Sequence, residues 1–266
     1  MEEMRKIEAI FLDVDGTLVS FDTHRVPSSA VAALQQVHQS GIKIVIATGR
    51  SAADLKELAG IPYDAVVALN GLECVLKEGT PVYRNKVSYD DFVKIESLSR
   101  QYGFPIAVET DEGIFVNKLN DVVVEFSALV NHELPMVASL EAVFQRSACC
   151  QICLYCDEAM EQQVMAQLPG LSSSRWNPLL ADIQVEGVDK AAGMHALCQY
   201  YGWDASQVMA FGDGENDISM LQAAGIGVAM GQASNAVKAA ADFVTDSVDD
   251  HGIQSALFQF VLGISG

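Results

Sequence analysis

The chain has no apolar run long enough to cross a bilayer. Its longest stretches, such as Ile42 to Thr48 and Val122 to Val130, stop well short of the roughly 20 residues a spanning helix needs. It is also poor in positive charge. Sixteen Lys and Arg stand against 35 Asp and Glu, a formal net charge of −19 over 266 residues. That balance speaks against nucleic acid or an anionic membrane as a standing partner and leaves any anionic ligand dependent on locally placed cations. Met1 to Phe11 carries no basic leader, since Glu2, Glu3 and Glu8 contradict the positive start of a secretory signal, and the expected setting is cytoplasmic. The five histidines include no i, i+4 pair of the kind that binds metal from one helix face. No internal repeat or low-complexity linker interrupts the sequence.

Cysteine is present but in an unpromising pattern. Cys150, Cys153 and Cys156 have the internal spacing of a metal knuckle, yet the run contains no glycine for the turns such a site needs. On a strand, Cys150 and Cys153 point to opposite faces. These residues are expected to pack as small buried hydrophobes, and a cytosolic setting disfavours disulfides. Half the residues are hydrophobic, so a large core is available. At about 100 to 200 residues per domain, the length suggests two domains.

Four segments, in order and far apart, carry chemistry. In Ile10-Phe11-Leu12-Asp13-Val14-Asp15-Gly16-Thr17-Leu18, an apolar strand runs into two carboxylates spaced i, i+2, which on an extended chain point the same way. Ile42 to Ala47 is a second buried strand, ending in Thr48-Gly49-Arg50. Lys190 follows Val188-Asp189 at the start of a helical pattern that runs to Tyr201. Val208 to Phe211 is a further strand, closing in Gly212-Asp213-Gly214-Glu215-Asn216-Asp217. Each has a plainer structural reading: an Asp-Gly turn, a Thr48 cap on a helix over Ser51 to Leu58, a solvated lysine or helix-start arginine, a capped loop. In a parallel sheet, however, ligand chemistry collects at the carboxyl ends of strands.

Taken together, the four segments resemble the haloacid dehalogenase superfamily of phosphatases, in its Cof-like sugar-phosphatase branch with an inserted α+β cap of type C2B. The likeness runs from Ile7 to the segments Val244-Thr245-Asp246 and Asp250-His251-Gly252-Ile253. One departure is Lys190-Ala191 where relatives commonly have Lys-Gly; the ammonium is kept. The resemblance implies that Asp13 is the nucleophile that forms an aspartyl-phosphate and Asp15 the acid/base. It implies Mg²⁺ as cofactor, held by Asp13, Asp213, the backbone carbonyl of Asp15 and, near the metal or its waters, Asp217. Thr48, Gly49, Arg50, Lys190 and Asn216 then bind the phosphoryl group or substrate, with Thr48 and Lys190 completing the catalytic set. The implied partner is a small phosphate ester, with a homo-oligomer left open. The alternatives are a phosphomutase and a low-activity binding or regulatory member of the same fold.

Alternating strands and helices over Ile7 to Leu69 and again from Lys190 onward predict an α/β fold with a Rossmann-like parallel sheet. A hairpin is expected over Leu72 to Val82. The intervening hundred or so residues read differently. Helices are expected over Asp90 to Tyr102, Leu140 to Phe144 and Asp157 to Leu168, with strands at Pro105 to Glu109, Ile114 to Lys118, Cys150 to Cys156 and Ser172 to Asn177. This predicts a core of residues 1–82 and 187–266 with a cap inserted over 83–186, hinged near Val82 to Val87 and Gln184 to Val188. A cap would exclude water from the site and set selectivity. Its polar positions Glu109, Lys118, Asn120, Arg175 and Asn177 mix contact candidates with ordinary surface.

Overall fold

The computed structural model describes residues 6–58, 60–110, 112–130, 132–148 and 151–263. The chain divides into two compact units, Met1–Tyr83 with Asp189–Gly266, and Arg84–Val188. In chain order, the first unit opens with β1 (Ala9–Leu12), α1 (Ser28–Gln39), β2 (Lys43–Ala47), β3 (Ala65–Ala68), β4 (Glu73–Leu76) and β5 (Pro81–Arg84). The second unit follows with α2 (Tyr89–Tyr102), β6 (Ile106–Thr110), β7 (Gly113–Val116), α3 (Asp121–Leu129), β8 (Met136–Val137), α4 (Leu140–Arg146), β9 (Gln151–Leu154), α5 (Glu158–Met165), β10 (Leu171–Asn177) and β11 (Leu180–Val185). The chain then returns to the first unit with α6 (Lys190–Tyr201), β12 (Val208–Gly212), α7 (Ile218–Ala223), β13 (Ile226–Ala229), α8 (Asn235–Ala240), β14 (Phe243–Val244) and α9 (Gly252–Leu257).

The first unit is built on an eight-stranded sheet in the order β14-β13-β12-β1-β2-β3-β4-β5. The pairs from β14 to β3 are parallel, and β4 turns back antiparallel on β3. Its central strands are buried on both faces. Phe11, Val45, Val67 and Ala210 join Met194 and Leu197 of α6 in one core, while Ile10, Leu12, Ile44 and Ile46 point to the other face and are equally buried. α1 lies against β2 and α9. This two-sided burial explains the near-continuous apolar runs, as expected for a parallel sheet covered by helices. From β1 the chain winds outward through β2 and β3 on one side, and the returning chain winds through β12, β13 and β14 on the other. The carboxyl ends of β1 and β12 therefore form the topological switch point, where open α/β sheets bind ligands.

The second unit carries a six-stranded sheet, β10-β11-β9-β6-β7-β8. One face packs Ile106, Val108, Ile152, Leu154 and Ile183 against Phe92 and Ile95 of α2, Phe144 of α4 and Val164 of α5. Phe92 and Phe144 stack with centroids 4.4 Å apart. The opposite face holds a smaller cluster in which Ala107, Val116, Cys153 and Tyr155 meet Val123 of α3. Cys153 and Cys156 are thus buried, thiol-bearing core residues; Cys150 lies outside the described residues. No helix among the described residues is long and apolar enough to cross a membrane.

The structure departs from the sequence reading at Ser51 to Leu58. No α-helix forms there, only a 3₁₀ turn at Lys56–Leu58. Leu58 is buried and Leu55 half-buried, but Ala52 to Lys56 are otherwise exposed or half-buried, which is too little docked apolar surface for a segment this short to hold a helix. Conversely, α3 forms over Asp121–Leu129, where no element is expected from the sequence. The Asn120 side chain accepts from the Val123 N–H at 3.0 Å and starts it.

Candidate active site

Asp13 follows β1 directly, its N–H donating to the Phe211 carbonyl of β12 at 3.1 Å. The chain then leaves the extended path. Leu18 and Val19 both donate to the Val14 carbonyl, and Gly16 takes a φ of +88°. A Cβ on Gly16 would stand 2.1 Å from Asp213 Oδ2, so only glycine permits both the turn and the approach. Because the strand ends at Leu12, the two carboxylates do not share an environment as the i, i+2 spacing predicts. Asp13 is buried against Lys190, whereas Asp15 pairs with Arg50.

Asp13, Asp213 and Asp217 converge, each offering an oxygen so that the three lie within 4.8 Å of one another. Lys190, the first residue of α6 and fully buried, sets its Nζ 2.7 Å from Asp13 Oδ1 and 2.6 Å from Asp217 Oδ1. α6 begins there because the Asp189 side chain accepts from the Ala192 N–H at 2.8 Å. The other Asp217 oxygen accepts from the N–H groups of Asp213 and Gly214, at 3.0 and 2.9 Å, so Asp217 also shapes the loop after β12. Asp213 is held by the Thr17 hydroxyl at 3.2 Å and by the Gln232 amide at 3.4 Å. Gln232 further donates to the Gly16 carbonyl.

Electrostatics follow from this geometry. Burial pushes Asp13 well above the usual carboxylate range; Asp217 and Asp213 add to that, and Lys190 opposes it. Burial likewise raises Asp213 to about 6, with Asp217 contributing and the Gln232 and Thr17 bonds pulling back. Burial alone would lower Lys190, but Asp13 and Asp217 outweigh it, and the ammonium stays charged. Three carboxylates against one ammonium leave negative charge uncompensated in a buried place.

Thr48 follows β2. Its N–H donates to Val67 of β3 at 2.8 Å, and its hydroxyl accepts from the Arg50 N–H at 3.0 Å, holding a tight turn through Gly49. Arg50 folds back onto Asp15, with Nε 2.9 Å from Oδ2 and Nη2 2.5 Å from Oδ1. It is therefore not a solvated helix-start residue but a partner of Asp15. Asn216 donates through Nδ2 to Asn70 Oδ1 at 3.0 Å.

Residues 10–257 match the family of haloacid dehalogenase-like hydrolases. The chain belongs to that family. Among solved structures of the haloacid dehalogenase superfamily, the phosphatase BT1666 from Bacteroides thetaiotaomicron is 50% identical with a TM-score of 0.93, covering 98% of this chain and 97% of its own. The subclass IIB sugar phosphatase BT4131 is 35% identical with a TM-score of 0.88, covering 95% and 98%. The 5-amino-6-(5-phospho-D-ribitylamino)uracil phosphatase YbjI of Escherichia coli is 29% identical over 259 residues, 93% of each chain. This haloacid dehalogenase-like hydrolase is a phosphatase by that kinship.

The acid cluster of this phosphatase fits a divalent cation. Its donors are all carboxylate oxygens, the ligands that hard cations prefer, and two positive charges would balance what Lys190 leaves over. Sequence reasoning missed Gln232 and Asn70. Gln232 stands three residues beyond β13, so its place at the carboxyl end of a strand is the signal that could have found it. Of the second unit's polar candidates, Arg175 bonds Glu161 and the carbonyls of Asn177, Pro178 and Cys156, and Lys118 donates to the Gly103 carbonyl. Asn120 caps α3, and Asn177 accepts from the Leu179 N–H. These side chains hold the unit's own turns and caps. Glu109 is half-buried on β6.

Proposed function

We propose that this protein is a Mg²⁺-dependent phosphatase of small phosphorylated metabolites, sugar phosphates foremost, working through an aspartyl-phosphate on Asp13. The observation that carries the reading is the convergence of Asp13, Asp213 and Asp217 around the single ammonium of Lys190. Asp13, Asp213 and the Asp15 carbonyl would hold the cation, with Asp217 supporting them; it would supply charge neutralisation on the phosphoryl oxygens. The remaining steps belong to the chain. An Asp13 oxygen attacks phosphorus and forms an O–P bond as the bond to the leaving oxygen breaks, and Asp15 gives that oxygen its proton. Water then attacks the phosphorus of the aspartyl-phosphate, Asp15 takes the water's proton, and inorganic phosphate leaves with the Asp13 carboxylate restored. Lys190, the Thr48 hydroxyl, the amides near Gly49 and Asn216 bind the phosphoryl oxygens.

The preference for sugar phosphates draws support from the likeness to BT4131, a sugar phosphatase. Selectivity is assigned to the unit Arg84–Val188, acting as the inserted cap. Phosphate release from a panel of sugar, nucleotide and cofactor phosphates, with Mg²⁺ or chelator, tests the proposal. Metal-dependent release that Asp13→Asn abolishes is the expected result. Phosphorylated sugar in place of free phosphate would point to a mutase instead, and an equally active Asp13→Asn would remove Asp13 as nucleophile.

A further inference from the structure

The turn after β3 contains the most unusual backbone in the described chain. Leu69, Asn70 and Gly71 take φ values of +51°, +52° and +95° in succession, and the first two carry side chains that make this conformation costly. Residues held in such wells persist only where their surroundings demand it, and they gather at functional sites. Asn70 tolerates the left-handed region better than most residues do, yet its side chain is buried to 1% exposure, so local backbone preference is not its only use.

The contacts of the turn say what it is for. The Leu69 N–H donates to the Arg50 carbonyl and the Asn70 N–H to the Thr48 carbonyl, both at 3.0 Å, so the turn splints the loop after β2 from both ends. The Asn70 amide lies against Gly49, where a Cβ would come within 3.3 Å of Nδ2. Asn70 Oδ1 accepts from Asn216 Nδ2 at 3.0 Å, a bond that reaches from β3 across to the loop after β12. Gly71 presses on the start of α6: a Cβ there would stand 1.9 Å from the Asp189 carbonyl oxygen, one residue before Lys190. A single turn thus touches three separate loops that the proposed mechanism uses to grip the phosphoryl group.

We infer that Asn70 is a positioning residue of the phosphatase reaction. It fixes the Asn216 amide relative to the Thr48–Gly49 loop, so that both sets of donors face one phosphoryl group at once. The left-handed turn is what brings its amide between them. The inference rests on the proposed roles of Thr48 and Asn216, and the experiment separates its failure from theirs.

Asn70→Gly is the informative variant, because glycine accepts the left-handed backbone without strain and keeps the turn while deleting the amide. It is compared with Asn216→Ala and with the double variant. The readouts are kcat and KM for p-nitrophenyl phosphate with Mg²⁺, the inhibition constant of orthovanadate, and the urea midpoint. Asn70→Gly is expected to lower kcat by about tenfold to a hundredfold, the scale of a small misplacement in a reacting complex. Vanadate inhibition should weaken, with KM changing less than kcat and the urea midpoint close to wild type. The double variant should be no worse than the poorer single one, the sign of two residues acting as a unit. A wild-type kcat in Asn70→Gly, or losses that multiply in the double variant, overturns the inference while leaving the phosphatase reading intact. An Asn216→Ala of full activity overturns the role of Asn216 and the inference with it, and a wild type inert towards every ester overturns the functional reading itself.

Discussion

The guanidinium of Arg50 and the carboxylate of Asp15 form a two-bond ion pair, Nε to Oδ2 at 2.9 Å and Nη2 to Oδ1 at 2.5 Å, with the Arg50 side chain only 14% exposed. A carboxylate clamped in this way is oriented as a proton acceptor, which suits the second half of the proposed cycle, when water attacks the aspartyl-phosphate. In the first half, where Asp15 gives its proton to the leaving oxygen, the two-bond pair offers no such help.

Arg50→Ala should therefore slow dephosphorylation more than phosphorylation. The expected outcome is a fall in kcat of about 10²-fold, within the usual range for losing general acid–base help, with a larger burst of p-nitrophenol before the steady state. Arg50→Lys, which keeps the charge but loses the fork of two donors, should fall between. Rapid-quench kinetics decide: a variant with unchanged kcat, or one whose burst vanishes, would show that Arg50 does not serve the second step.

Asp213 bears on metal binding. It lies with Asp13 and Asp217 in a cluster whose charge Lys190 partly offsets, and it is raised to about 6, chiefly by burial. Replacing it with Asn relieves repulsion and removes a ligand in one change. In chelator, Asp213→Asn should be more stable than wild type by about 1–3 kcal/mol, the scale of uncompensated buried charge. Added Mg²⁺ should raise the wild-type melting temperature, as any ligand of the folded state does, and leave the variant unmoved. A variant that gains as much as wild type from Mg²⁺ would place the cation elsewhere.

The four motif segments could be read from sequence because each is continuous: an apolar run, then a polar cluster at the strand's end. Their assembly was legible too, since alternating strands and helices imply the parallel sheet that gathers those ends. What escaped were single residues whose meaning depends on strand order. Gln232 and Asn70 look like ordinary loop polars until β13 and β3 are seen to stand on either side of the strands β12, β1 and β2 that carry the motifs. The partner of Asp15 escaped for a related reason, because the i, i+2 argument assumes an extended chain and β1 ends at Leu12, before either acid. The failed helix over Ser51 to Leu58 shows the limit of propensity where so little that is apolar is buried, Leu58 at its end and Leu55 only in part.

Asp64 gives a pH dependence away from the site. Burial alone would raise it, but the Lys43 ammonium at 2.7 Å, the Ile44 N–H at 3.0 Å and the nearby His38 hold it below the ordinary carboxylate range. An acid whose folded value is depressed contributes stability above its unfolded value, about 3.9, and loses that contribution as pH falls through the folded one. Asp64→Asn should then cost about 1–2 kcal/mol near neutrality, as expected for charge-assisted bonds. The gap from wild type should close below about pH 4. Urea unfolding across that range checks it, and a gap that persisted unchanged in acid would mean that the carboxylate's charge is not what stabilises the β2–β3 connection.

Arg175 separates substrate contact from scaffold in the second unit. Its guanidinium bonds Glu161, itself buried on α5, and three backbone carbonyls, of Cys156, Asn177 and Pro178. Removing it strands a buried carboxylate and leaves those carbonyls short of donors, a loss of about 3–5 kcal/mol. Arg175→Ala is thus expected to lower the urea midpoint sharply. Replacing both partners by apolar residues, Arg175→Met with Glu161→Leu, should recover part of that loss, because the cost comes mainly from the unpaired charge. KM for a sugar phosphate in the folded double variant should stay within a few-fold of wild type. A double variant as stable as wild type but with KM raised tenfold or more would reverse the assignment and make Arg175 a substrate ligand after all.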